Sequence, residues 1–424
     1  MPTYPIDIDF KPTGFASSVQ IVMRLRAEGF RAFLVGGCVR DLWLKRDPKD
    51  FDIATSALPK EIRRCFSHTR AVGQTFGVIQ VYLRGHAYEV ATFREDGAYK
   101  DGRRPSSVTF GDEAADVQRR DFTINGLLFD PESSVVTDLV GGVDDLDRRL
   151  VRTIGDPIER FQEDSLRLLR AVRFAARLGF QIEPETARAI SSLAGSMDRI
   201  SPERILGELE LILEHHSRFE GVAKLAELGL LEVIAPELEE LRRDSRDRWS
   251  RNISVLGALP DRAGIGVAMA ALCHSMPIEQ IDLLLGRWRC SNEISDTIVE
   301  LVEQQSWWLS GYASSRADRV RHLRQKRAPA HLTLLRANLR ASAVREKPYR
   351  NFRKELDRLG PDDYPTSAPI DGNLLLSAGV PPGPLVGELL EEAQDGWLNR
   401  ENTTTEEILA SLRGSHSDLP WSVE

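Results

Sequence analysis

One stretch constrains this chain more than any other: an apolar run that stops at two glycines and is followed, within one βαβ-sized span, by an acid–aromatic–acid triplet. From Phe33 to Thr55 it reads FLVGGCVRDLWLKRDPKDFDIAT. Phe33–Val35 has the composition of a buried strand. Gly36–Gly37 supplies the backbone freedom of a tight turn. Side chains alternate across a strand, so Asp50 and Asp52 are expected on one face, with Phe51 and Ile53 on the other. Two carboxylates that close repel each other, and burial raises the cost unless a cation lies between them. Mg²⁺ is commonly held by one or two protein carboxylates together with substrate phosphates. Asp50 and Asp52 are therefore the expected catalytic and metal-holding pair of a phosphoryl- or nucleotidyl-transfer site. Taken singly, an Asp-x-Asp is usually a solvated strand end and a Gly-Gly usually only a turn. The spacing argues otherwise, because it lets Gly37 backbone N–H and Arg40 meet a triphosphate beside the metal. No Gly-Lys-Ser/Thr follows, so this is not a Walker loop.

VGGCVRD followed by DFDIAT resembles the signature of the class II nucleotidyltransferases, a family containing the tRNA CCA-adding enzymes and bacterial poly(A) polymerases. RRDFTINGL (Arg119–Leu127), DLVGGVDDL (Asp138–Leu146) and ERFQEDSLRLLRAVRFAARLGF (Glu159–Phe180) extend the resemblance, in the family's order, over about the first half of the chain. It implies an α+β chain: a polymerase β-like mixed α/β nucleotidyltransferase head followed by all-helical neck, body and tail. The expected boundaries are 1–148 for the catalytic head, 149–215 for a nucleotide-selecting neck, 216–315 for the body and 316–424 for a tRNA-contacting tail. It also implies a two-ion Mg²⁺ mechanism and places Arg120 on the nucleotide, where a guanidinium fork suits phosphate oxygens.

The 424 residues exceed one ordinary core, so roughly two to four domains are expected. With 42% hydrophobic and 28% charged residues, the composition is that of a soluble globular protein. No apolar run has the length of a membrane span and the N-terminus lacks a signal-peptide layout, so a cytoplasmic location without membrane association is expected. Cys38, Cys65, Cys273 and Cys290 are scattered without a Cys-x-x-Cys, against zinc or a disulfide framework. The net charge of −8 means that RNA contact must come from a local patch.

Along the chain, Gly14–Gly29 has a helical period with Val19, Ile21, Val22 and Leu25 inward. Ser56 is a fitting N-cap for a helix through Phe66, with Pro59 in its first turn. Phe76–Leu83 and Ala87–Phe93 read as a hairpin about Arg84–Gly85–His86. Glu89, on its second strand, is a third carboxylate near the metals or an arginine's partner. Residues 95–107 read as a mobile loop. In the CCA-adding family a loop of this kind, with an acidic and a basic residue, serves the switch to the final A, and Asp101, Arg103 and Arg104 resemble it. FTINGLLF reads as a strand, and Gly141–Gly142 as a hinge out of the head.

From about Leu150 helical patterning takes over. Between Arg160 and Leu178, Glu163, Asp164, Arg167, Arg170 and Arg173 recur at helical spacing. On a wet helix Glu163 and Arg167 would form an ordinary i, i+4 pair, worth a few tenths of a kcal/mol. Beside a nucleotide they offer more. Cytosine and adenine each show an amino donor next to a ring-nitrogen acceptor, which a carboxylate and a guanidinium complement. The resemblance assigns this reading to Asp164 and Arg167, selecting C and A against G and U, with Arg170 and Arg173 continuing along the phosphates or sugar. Later segments are helical, opening with Ser201–Pro202–Glu203. Trp307 and Trp308 read as core. His274–Ser275 stands where some relatives carry a His-Asp phosphohydrolase pair, but the Asp is missing. Residues 316–358 are strongly basic and are a candidate contact for RNA phosphates. Residues 361–384 read as loop, and the last segment as a short helix with a frayed tail.

The expected reaction is transfer of CMP and AMP from CTP and ATP to the tRNA 3′ end, with release of pyrophosphate. The alternatives are a bacterial poly(A) polymerase and an A-adding-only tRNA nucleotidyltransferase. VGQTFGVIQV lacks the basic pattern associated with the former, and no long basic C-terminal tail is present. No obligate protein partner is inferred.

Overall fold

The computed structural model describes residues 2–8, 12–72, 77–97, 107–344, 346–359, 368–401 and 404–422. The chain packs as two compact units, residues 1–243 with 286–289, and residues 244–285 with 290–424.

The first unit begins as a mixed sheet. Its strands are β1 (Thr3–Pro5), β2 (Ala32–Val35), β3 (Asp52–Thr55), β4 (Thr69–Ala71), β5 (Val78–Leu83) and β6 (His86–Thr92). A separate ribbon pairs β7 (Arg94–Asp96) with β8 (Val108–Phe110), and β9 (Leu127–Asp130) and β10 (Val135–Asp138) return to the main sheet. The order is β1-β10-β9-β2-β3-β6-β5-β4. β2 and β3 pair antiparallel with Val35 opposite Asp52, and β3 runs parallel to β6 with Asp52 beside Glu89. Register thus brings Asp52 to the edge where β2 gives way to Gly36, with Glu89 on the neighbouring strand. The β5–β6 hairpin turns through Arg84 (φ 51°) and Gly85 (φ 81°). Two positive φ values match the right-handed twist of the strands.

Helix α1 (Phe15–Ala27) buries Ile21, Val22 and Leu25, each contributing about 2 kcal/mol on burial. Val19 is half-buried, and Ser17 and Ser18 take inward places, Ser18 Oγ donating to Phe15 O at 2.7 Å. α2 (Gly37–Trp43) follows the glycines. α3 spans Pro59–Cys65, and its N-cap is Leu58 rather than Ser56. Glu61 accepts the Leu58 N–H, while Ser56 Oγ accepts the Arg31 N–H, so a cross-strand demand outcompetes the cap. α4 (Glu113–Gln118) and α5 (Gly142–Asp147) complete the head. Of FTINGLLF only the last three residues fall in a strand, Leu127–Asp130, because Thr123–Asn125 closes a 3₁₀ turn. Gly141–Gly142 opens α5, with Asp138 accepting from the backbone N–H of Val140, Gly141, Gly142 and Val143.

The stretch expected as one helix over 160–178 is two, α6 (Pro157–Glu163) and α7 (Leu166–Leu178), broken at Asp164 with φ −148° and ψ 103°. α7 is flanked by a two-stranded parallel pair, Leu150–Val151 with Gln181–Ile182. α8 (Pro184–Leu193) and α9 (Pro202–Leu213) follow.

The second unit is helical throughout its described residues. Trp308 is buried in its core with Leu323, Leu332, Leu335 and Phe352. A second cluster gathers Ile370, Leu375, Leu389, Ile408 and Leu412. Part of the span expected as loop, Gly372–Ser377, is a helix capped by Asp371. The four cysteines are free thiols. No described helix is long and apolar enough to cross a membrane.

Candidate active site

Gly36 stands at φ 76°, and a Cβ there would lie 3.1 Å from Arg120 Nη1 and 3.9 Å from Asp52 Oδ2. The missing side chain leaves room where a guanidinium and a carboxylate face each other. Gly37 is helical, and a Cβ on it would lie 3.4 Å from Arg40 Nη2. Arg40 is buried and held from three sides. Its Nη1 donates to Asn125 Oδ1 at 2.7 Å, its Nε to Asp41 Oδ1 at 2.8 Å, and it lies 5.2 Å over the Phe174 ring.

Asp52 is reached by solvent, yet the protein crowded around it displaces enough water to push its carboxyl up to about 6. Glu89 and Asp50 raise it further, against Arg120. Asp50 is exposed, two residues earlier and just before the strand begins. Carboxylates that act on one another in this way suit a hard divalent cation. Among the described residues no group of three or more His, Cys, Asp or Glu side chains converges closely enough to hold a metal ion. Cys38 beneath the site is no nucleophile: burial, then Asp52, pushes its thiol up to about 12.

Across from the carboxylates, Asp121 accepts from Arg170 Nε and Nη2 at 2.9 and 2.6 Å and from Asn125 Nδ2 at 3.1 Å. Burial alone would raise the Asp121 carboxyl, but Arg170 and these hydrogen bonds hold it at about 2. Asp164, at the break between α6 and α7, accepts from Leu166 N and from Arg204 Nη2. Arg167 donates to Glu163, to Arg160 O and to Arg119 O. The i, i+4 pair therefore exists, and it coexists with a place on the cleft.

All of this surrounds one cavity of about 450 Å³. Of the expected residues, Gly37, Arg40, Asp52, Arg120, Asp164, Arg167 and Arg170 line it. Asp50 and Arg173 do not: Arg173 Nε donates to Glu208 at 2.6 Å and its guanidinium covers Phe174. Sequence reasoning missed Arg119, Asp121, Asn125, Phe174 and Arg204 on the same wall. Arg119 and Asp121 sit inside a quoted motif, but nothing local marks Arg204, which reaches Asp164 from another helix. Six arginines face three aspartates here, in a chain of net charge −8. Such a local excess of guanidinium suits a polyphosphate. Asp101, Arg103 and Arg104 lie outside the described residues.

The head and this cleft are those of a nucleotidyltransferase: residues 32–152 match the family described as the poly A polymerase head domain, and 179–241 the probable RNA and SrmB-binding site of polymerase A. The chain is 35% identical to the CCA-adding enzyme of Geobacillus thermodenitrificans, over 91% of this chain and 93% of that protein. It is 34% identical to that of Lactobacillus gasseri, over 93% and 97%. It belongs to the CCA-adding enzyme family. The crystal structure of the Bacillus stearothermophilus CCA-adding enzyme in complex with CTP superposes with a TM-score of 0.80 at 28% identity, covering 96% of this chain and 99% of that one. The Thermotoga maritima enzyme complexed with tRNA shares the fold, at a TM-score of 0.66 and 20% identity over 98% and 99%. Nucleotidyltransferases of this family normally use divalent metal ions.

Proposed function

We propose that this chain transfers CMP and AMP from CTP and ATP to the 3′ end of tRNA, releasing pyrophosphate, and builds CCA. One observation carries the reading: Asp52, Gly36 and Arg120 share a single cavity with Asp164 and Arg167. Phosphate chemistry and base recognition thus lie within one nucleotide of each other. Asp50 and Asp52, with Glu89 beside them, would hold Mg²⁺. When bound, Mg²⁺ supplies Lewis-acid stabilisation of the attacking 3′-oxygen and of the leaving pyrophosphate. Arg120 and Arg40, with Gly36–Gly37 backbone, hold the triphosphate. Asp164 accepts from the amino group of cytosine or adenine and Arg167 donates to the adjacent ring nitrogen, so guanine and uracil leave both unpaired. Arg170 and Arg173 act through Asp121, Glu208 and Phe174 to keep the arginine wall in place.

The proposed functional division is residues 1–148 as catalytic head, 149–215 as selecting neck, 216–315 as body and 316–424 as tail. A cavity of about 530 Å³ lined by Arg316, Arg319, Lys354, Arg358 and Arg400 supports tRNA phosphate contact by the tail. A tRNA substrate puts the protein in the cytoplasm. The test supplies CTP or ATP separately to tRNAs lacking CCA, ending after the first C, and ending after the second. Addition that stops at the terminal A is expected. A growing adenylate ladder would indicate a poly(A) polymerase, and incorporation of A alone an A-adding enzyme.

A further inference from the structure

Asp116, on α4, belongs to no motif that the reaction uses, yet its side chain is wholly buried. A buried carboxylate is costly unless cations and hydrogen bonds compensate it. Here Oδ1 accepts from Arg119 Nε and Nη2 at 3.0 and 2.5 Å, and Oδ2 accepts from Arg120 Nη2 at 2.8 Å. Both arginines line the cleft, with about a fifth of each side chain exposed. Arg119 Nη1 also lies 3.9 Å from Asp96 of β7, and the Arg119 carbonyl accepts from Arg167. Arg120 Nε is buried without a hydrogen-bond partner among the described residues; Asp116 holds its Nη2, and its Nη1 stands beside Gly36, where Asp52 faces it.

We infer that Asp116 is a positioning residue for the nucleotide: one buried carboxylate sets two cleft arginines so that Arg120 meets the triphosphate without first having to be ordered. An unanchored arginine must give up rotamer freedom each time a nucleotide binds, and a preorganised one has already done so. The anchor lies on the phosphate side, which CTP and ATP share, whereas Asp164 and Arg167 lie on the base side. Its loss should therefore weaken both nucleotides equally and leave the choice between them intact.

This inference rests on the nucleotide reading given under Proposed function. The experiment measures steady-state incorporation by the full chain, CTP on tRNA lacking CCA and ATP on tRNA ending after the second C, for the wild type and Asp116→Asn, with melting temperatures alongside. Asp116→Asn keeps the shape and removes the charge. It is expected to raise KM about tenfold for both nucleotides together, with kcat within about twofold, as for loss of binding shared by ground and transition states. Unchanged KM values with a lowered melting temperature would make Asp116 merely structural and overturn the inference, as would a rise for one nucleotide alone. If Asp116→Asn does not fold, Asp116→Glu, which displaces the charge by one methylene, is read in the same way. Wild-type incorporation of both nucleotides secures the underlying reading in the same assay. Its absence would sink that reading as well, so the two failures are distinguishable.

Discussion

Arg204 Nη2 donates to Asp164 Oδ2 across 2.7 Å, joining α9 to the break between α6 and α7. With Leu166 N–H on its other oxygen, Asp164 is aimed from two directions, by its own turn and by a distant helix. Arg204→Ala removes a charge-assisted bond and frees that carboxylate to rotate. Discrimination of CTP and ATP against GTP and UTP is expected to fall by about tenfold, in kcat/KM ratios. Unchanged ratios would leave Asp164 fixed by Leu166 alone.

Asp52 must be ionised to serve a cation. Crowding, then Glu89 and Asp50, puts its carboxyl at about 6, so below that pH protons compete with metal for the same oxygens. The Mg²⁺ concentration for half-maximal incorporation should rise as pH falls from 7.5 to 5.5, and saturating Mg²⁺ should restore part of the rate. Asp50→Ala is expected to abolish turnover with an unchanged melting temperature. Near-normal incorporation by that variant would remove the metal assignment.

His274 is buried in the second unit, its Nε2 against Asn338 Nδ2, and Arg251 donates to the same asparagine. Burial, then Arg251, lowers its imidazolium to about 4 from 6.5. The unfolded chain therefore binds the extra proton first as pH drops. His274's contribution is fully present above pH 6.5 and is lost between 6.5 and 4, at up to roughly 1.4 kcal/mol per pH unit. Urea melts across that window should show a smaller pH slope for His274→Gln than for the wild type. Parallel slopes would refute this.

Much of the basic stretch 316–358 is neutralised internally: Arg319 pairs with Glu355, Arg327 with Glu300, and Arg336 and Arg340 with Glu346. Lys354 and Arg358 line the same cavity of the second unit as the Arg319–Glu355 pair, and both are exposed. Lys354→Ala with Arg358→Ala should raise KM for tRNA about tenfold at moderate salt and flatten its salt dependence, leaving KM for nucleotides unchanged. A tRNA KM indifferent to both changes would move the tail contact elsewhere.

Local chemistry wrote a good deal of this protein in advance. Strand, double glycine and acid triplet are neighbours in sequence, and the alternation that exposes Asp52 while burying Phe51 and Ile53 needs only a pleated backbone. The β5–β6 hairpin was legible for the same reason. Helix interruptions were harder, because the period of Arg160–Leu178 runs through Asp164 without a proline or glycine to announce the break.

The order of residues carries the inventory of the chemistry: the acids, the arginines and the elements that bear them. Which acid holds which arginine depends on how distant elements pack. Asp164 reaches Arg204, Arg173 turns to Glu208 rather than to the cleft, and Asp121 claims Arg170. An ion pair depends on distance and burial, and residues 35 to 49 positions apart acquire both only when the helices pack.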